Sequence, residues 1–64
     1  MNLSDSVEVH SAKGHIGNGI IHDMGPGRAT VLLTPAKAEQ YSITAPLAWF
    51  TSTASGPRWK LTLP

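Results

Sequence analysis

Apolar and polar residues alternate over short stretches of this chain, and turn-forming residues separate the stretches. Val7-Glu8-Val9-His10 alternates with period two, the pattern of a half-buried strand. Gly19 to Met24 reads as a second strand, and Ala29 to Thr34 as the strand returning from it. Gly25-Pro26-Gly27-Arg28 lies between them. Proline presets φ at the second position of a type II turn and glycine supplies positive φ at the third, so this is a hairpin tip. The glycine-rich segment Ser11 to Asn18 reads as a loop. Asn18-Gly19 is itself a two-residue hairpin signal; if it is the turn, His15-Ile16-Gly17 pairs with Ile20-Ile21-His22.

The second half continues in the same manner. Pro35 to Gln40 is the one helix-friendly stretch, with proline suited to a first helical position, but it is long enough for only about one turn. Tyr41-Ser42-Ile43-Thr44 alternates until Pro46 interrupts it. Leu47 to Ser52 is the heaviest strand, Ala54 to Pro57 is a turn, and Trp59 to Leu63 alternates cleanly. The frequent glycines and prolines leave no window for a long helix. The predicted core is Val7, Val9, Ile20, Val31, Leu33, Ile43, Leu47, Trp49, Trp59 and Leu61.

Asp5-x-Val7-x-Val9, the Lys13-Gly14 loop and Gly17-x-Gly19-x-Ile21 followed by an apolar strand resemble the KOW-type opening of SH3-like small barrels. The resemblance spans residues 5–33, about half the chain. It implies an SH3-like fold and a role in binding RNA, ribosomes or transcription proteins. Pattern and resemblance together predict an all-β chain: a small five- to six-stranded SH3-like barrel, or a strongly bent meander, with one short helical turn. Residues 1–64 form one domain.

Composition narrows the picture. The chain has 64 residues and no cysteine, which excludes disulfides and thiolate zinc sites. A domain this small buries only about 60% of the surface its unfolded chain exposes. Without a disulfide, self-association is the expected extra source of stability, so a homo-oligomer is predicted. Five Lys+Arg against four Asp+Glu give a net charge of +1, too little for the basic stripe of a dedicated duplex binder. Charged residues are only 14% of the total, which fits a surface partly covered by a partner. No run of about 18 apolar residues occurs, so no membrane helix is expected. The start Met1-Asn2-Leu3-Ser4-Asp5 lacks the basic and apolar regions of a signal peptide, so the expected location is cytoplasmic.

The candidate chemistry is that of binding. Lys13, Gly14 and His15 open a glycine segment whose backbone N–H groups would face an anion, although it is neither a Walker loop nor a dinucleotide fingerprint. Trp49 and Phe50 point to opposite faces if both lie on a strand. Trp49 shares parity with Leu47, so Phe50 is the predicted outward aromatic, available to stack a base or anchor a partner. Arg58 and Lys60 share a face and are candidate phosphate contacts. His10, His15 and His22 match no recognised metal spacing, so neither metal nor cofactor is expected. With no cysteine nucleophile and no room for a deep cleft, no catalytic residues are assigned.

These readings predict a non-enzymatic binding module that contacts nucleic acid or a nucleotide-type anion through Lys13, Gly14, His15, Phe50, Arg58 and Lys60. One alternative is a small phage- or plasmid-type accessory protein that binds and inhibits or redirects a host protein. Another is a small-molecule site between subunits, as a sponge or an enzyme.

Overall fold

The structure is a computed structural model that describes residues 1–34, 39–53 and 58–64. Six strands form one sheet: β1 (Ser6–Ser11), β2 (Gly14–Gly25), β3 (Arg28–Leu33), β4 (Tyr41–Pro46), β5 (Phe50–Ser52) and β6 (Trp59–Thr62). A single 3-10 turn, Leu47–Trp49, separates β4 from β5. The all-β class is as the sequence predicts. The expected helical turn at Pro35–Gln40 falls largely on residues 35–38, outside the described residues, as does the expected turn at 54–57.

The sheet order is β4-β3-β2-β1-β6-β5. The first four strands form an antiparallel meander, and β6 lies parallel to β1. The two edge strands, β4 and β5, are neighbours in sequence. In a flat sheet they would stand about 24 Å apart, five spacings of about 4.8 Å. The link from Pro46 to Phe50 spans at most about 14 Å. The sheet must therefore roll, and the molecule is a barrel-like body of 31 × 22 × 21 Å.

The inner face carries the core. Val7, Val9, Ile21, Ala29, Val31, Leu33, Ala45, Phe50 and Leu61 are buried, and Met1, Ile43, Trp59 and Leu63 pack against them. Register explains why Ile21 and not Ile20 is inside. Val7 and Val9 face Gly19 and Gly17, which puts Gly17, Gly19 and Ile21 inward and leaves Ile20 outside opposite Ser6. Gly19 makes room for β3: a Cβ there would meet the Leu32 carbonyl oxygen at 2.3 Å, whereas one on Gly17 would meet only the Leu33 side chain, in ordinary contact at 3.5 Å. Gly19 is thus a close-approach glycine within a strand, and no turn forms at Asn18-Gly19.

The segment Ser11 to Asn18 also departs from its expected loop. A two-residue turn at Ala12-Lys13 leads directly into β2, with Ser11 opposite Gly14. Gly14 adopts φ 114°, beyond the reach of ordinary L residues, and this lets the turn close so tightly. The second hairpin has the predicted form: Gly25 faces Arg28 across Pro26-Gly27, and Gly27 has φ 71°. Bulges at Ile16 and His22 interrupt the β2 ladders and add the twist that rolls a twelve-residue strand.

Candidate functional site

The six residues predicted to bind do not converge. Lys13 occupies the β1–β2 turn and is exposed, and Gly14 and His15 follow it at the same end of the sheet. Residues 14–19 are extended, so their N–H groups point alternately to opposite edges and do not converge on one anion. Lys60 lies in mid-sheet beside Glu8, and Arg58, just before β6, lies at the far end. Phe50 turns inward and is only 8% exposed, against the prediction, while Trp49 is 37% exposed. The cause is local. Leu47, Ala48 and Trp49 form a 3-10 turn, so strand parity begins afresh at Phe50.

Arg58 and Asp5 help fix the end of the sheet where the chain enters. Asp5 Oδ2 accepts hydrogen bonds from the Asn2 backbone N–H at 2.9 Å and from the Trp59 indole Nε1–H at 3.1 Å. The Arg58 guanidinium stands 3.8 Å from Oδ1. The Asn2 hydrogen bond holds the Asp5 carboxyl below its ordinary value; burial opposes this, and the Trp59 hydrogen bond and the Arg58 charge reinforce it. The half-buried indole thereby satisfies its donor.

A groove opens at this same end of the sheet. Pro26, Gly27, Arg28, Thr44, Ala45 and Pro46 line an open concavity of about 310 Å³. The Pro26-Gly27 turn forms one wall and the last residues of β4 form the other, with Arg28 in register with Pro46. The Leu47 N–H donates to the Gly27 carbonyl oxygen at 3.0 Å, which ties the 3-10 turn to the hairpin tip. Leu47 and Trp49 follow the Pro46 wall directly and are both exposed. The Arg28 side chain lies over Gly25, where an added Cβ would stand 3.4 Å from its Nε. Among the described residues Arg28 has no carboxylate partner. The groove therefore offers a guanidinium able to hold two oxygens of an anion between largely apolar walls, and an exposed indole follows three residues along the chain from Pro46.

A second cluster lies on the outer face of β1 and β2. Glu8 and His10 are hydrogen-bonded along β1, and His15 sits opposite His10 with ring centroids 5.0 Å apart. His15 Nε2 is 3.0 Å from Asn18 Oδ1. Glu8 joins this group because β1 alternates, which puts it on the same face as His10 two residues further on. Trp49 was assigned to the core because Leu47 to Ser52 reads as a strand. The signal against that reading is Pro46, which suits the start of a helical turn.

No family model matches the chain, and no curated protein or solved structure matches it either. Among the described residues no helix is long and apolar enough to cross a membrane.

Proposed function

We propose that this chain is a non-enzymatic binding module that takes single-stranded nucleic acid, or a nucleotide-type anion, in the groove between the Pro26-Gly27 turn and the end of β4. The observation that carries the reading is Arg28 in the groove, without a carboxylate partner among the described residues, together with the exposed Trp49 that follows Pro46 in the chain. A base stacks on the indole and a phosphate accepts from the guanidinium, the combination that sequence-tolerant single-strand binding uses. Arg58 lies at the same end of the sheet as the groove, whereas Lys13 lies at the other end. Few phosphates are engaged, so affinity is modest and its dependence on salt shallow.

The outer side of edge strand β4 has no neighbouring strand among the described residues, and Tyr41 at its start is exposed. Self-association through that edge supports the homo-oligomer expected from the small core. The apolar walls and the exposed Leu47 and Trp49 also favour a second reading, a protein partner, because tryptophan and arginine dominate interface energetics.

Fluorescence anisotropy with a labelled single-stranded oligonucleotide at low salt tests the proposal. Saturable binding that weakens at least tenfold in both Arg28→Ala and Trp49→Ala is the expected result. No binding at low salt overturns it. In that case nuclease-resistant recovery of one stoichiometric host protein, lost in Trp49→Ala, identifies the protein-partner reading as the correct one.

A further inference from the structure

We infer that Glu8, His10 and His15 form a binding site for one first-row divalent cation of the zinc, nickel and copper class, on the outer face of the β1–β2 hairpin. One ligand atom from each of the three residues lies within 4.8 Å of the other two. Nitrogen and oxygen ligands of tetrahedral zinc stand about 2.0–2.2 Å from the metal, hence about 3.3 Å from each other. Small side-chain rotations close that gap. Two imidazoles and one carboxylate suit zinc, nickel and copper, whereas calcium and magnesium require more oxygen ligands.

The bulge at Ile16 supports the site independently. Val9 pairs with Gly17, but His10 pairs with His15, so Ile16 is an extra residue. In an unbroken ladder position 16 would face His10 and His15 would point to the inner face. The bulge re-aims His15 onto the face that Glu8 and His10 share. The outer partner is present as well. If His15 coordinates through Nδ1, its Nε2–H donates to Asn18 Oδ1, the arrangement that fixes the tautomer of a ligating histidine. The hydrogen bond between His10 Nε2 and Glu8 uses the two atoms that would hold the cation. Coordination needs the His10 nitrogen free of hydrogen, so metal entry replaces this hydrogen bond, and binding weakens on acidification because protonated imidazole cannot ligate. Lys60 and Thr62, in register with Glu8 and His10 on β6, are the groups facing the site from its other flank.

Such an ion joins adjacent strands of a chain that has no disulfide, and it leaves a coordination position for water or a ligand. The test is a calorimetric titration of the chelator-stripped 64-residue chain with zinc chloride, in two buffers of different ionisation enthalpy, together with thermal melts. The expected result is one ion per chain, net proton release, and a rise of about 10–20 °C in Tm at a hundredfold excess over Kd. His10→Ala and His15→Ala each weaken binding at least tenfold, while His22→Ala, exposed and outside the cluster, binds as the parent does. Ring resonances of the unsubstituted chain give a readout that no variant's folding affects: His10 and His15 shift on zinc addition and His22 does not. Absence of saturable one-to-one binding overturns the site. So does binding retained in the His10→Ala/His15→Ala double variant, or a shift confined to His22.

Discussion

Replacing Gly19 with alanine places a methyl group 2.3 Å from the Leu32 carbonyl oxygen and 2.9 Å from its carbon, at the Leu33 end of the β2–β3 ladder. Ordinary contact begins about 1 Å further out, and the obstacle is backbone that cannot rotate away. The strands must separate locally, which lengthens the hydrogen bonds around the Gly19–Leu33 and Ile20–Leu32 pairs. Two weakened hydrogen bonds cost about 1 kcal/mol each. Overpacking adds about 1–3 kcal/mol. The reduced entropy of the unfolded alanine chain returns only about 0.4–1 kcal/mol. The net expectation is a loss of about 3 kcal/mol. A chain of this size has about 3–5 kcal/mol in total, so Gly19→Ala sits at the edge of unfolding at 25 °C. Gly17→Ala is the control: its Cβ meets only Leu33 Cδ2, at 3.5 Å, in ordinary contact. It should be neutral or stabilising by up to about 1 kcal/mol. Urea melts of both variants followed by tryptophan fluorescence make the comparison. A Gly19→Ala midpoint equal to that of Gly17→Ala would refute the close approach and the register built on it.

Three further outcomes are expected. Asp5→Asn lowers stability at neutral pH. The folded carboxyl titrates below the ordinary value of 3.8, so its contribution is present above that value and is lost as pH falls through the lower folded value. The gap between parent and variant in urea melts should then be widest near neutrality and close in strong acid. Phe50→Ala, which empties a buried site, costs about 3 kcal/mol or more, and Trp49→Ala, more than four times as exposed, costs less; thermal melts rank the two. Gly27→Ala forces a side chain onto φ 71° and costs about 1–2 kcal/mol, read as a lower urea midpoint without a change in slope.

Where alternation is clean, the fold is legible from residues alone. The strands around Val7-Val9, Val31-Leu33 and Trp59-Leu61 and the Pro26-Gly27 turn follow from period-two patterning and from the φ that glycine permits. Features that depend on long-range register are not legible. Ile20 and Ile21 are equivalent in the sequence, and only the pairing of Val7 and Val9 with two glycines decides which is buried. Gly14, Gly17 and Gly19 look like a loop because glycine serves both loops and close backbone contacts. A three-residue 3-10 turn exchanges the roles of Trp49 and Phe50, since one turn out of strand geometry resets parity for everything after it. The cluster of Glu8, His10 and His15 depends on a bulge, an irregularity with no local residue code, so histidine spacing alone did not suggest it. Of the groove, Arg28 and the turn were visible, but its second wall comes from residues 44–46, which the sheet brings alongside.

The proposed binding surface is the groove end of the barrel, with Trp49 outside and Phe50 inside. The most direct measurement is a backbone and indole N–H correlation spectrum of the labelled chain, titrated with a single-stranded oligonucleotide at low salt. Shifts are expected to be confined to Gly27–Arg28 and Thr44–Trp49, with the Trp49 indole signal moving and the Trp59 indole, held by Asp5, staying in place. Shifts centred on Lys13 to His15, or a spectrum that does not respond at all, would contradict this placement.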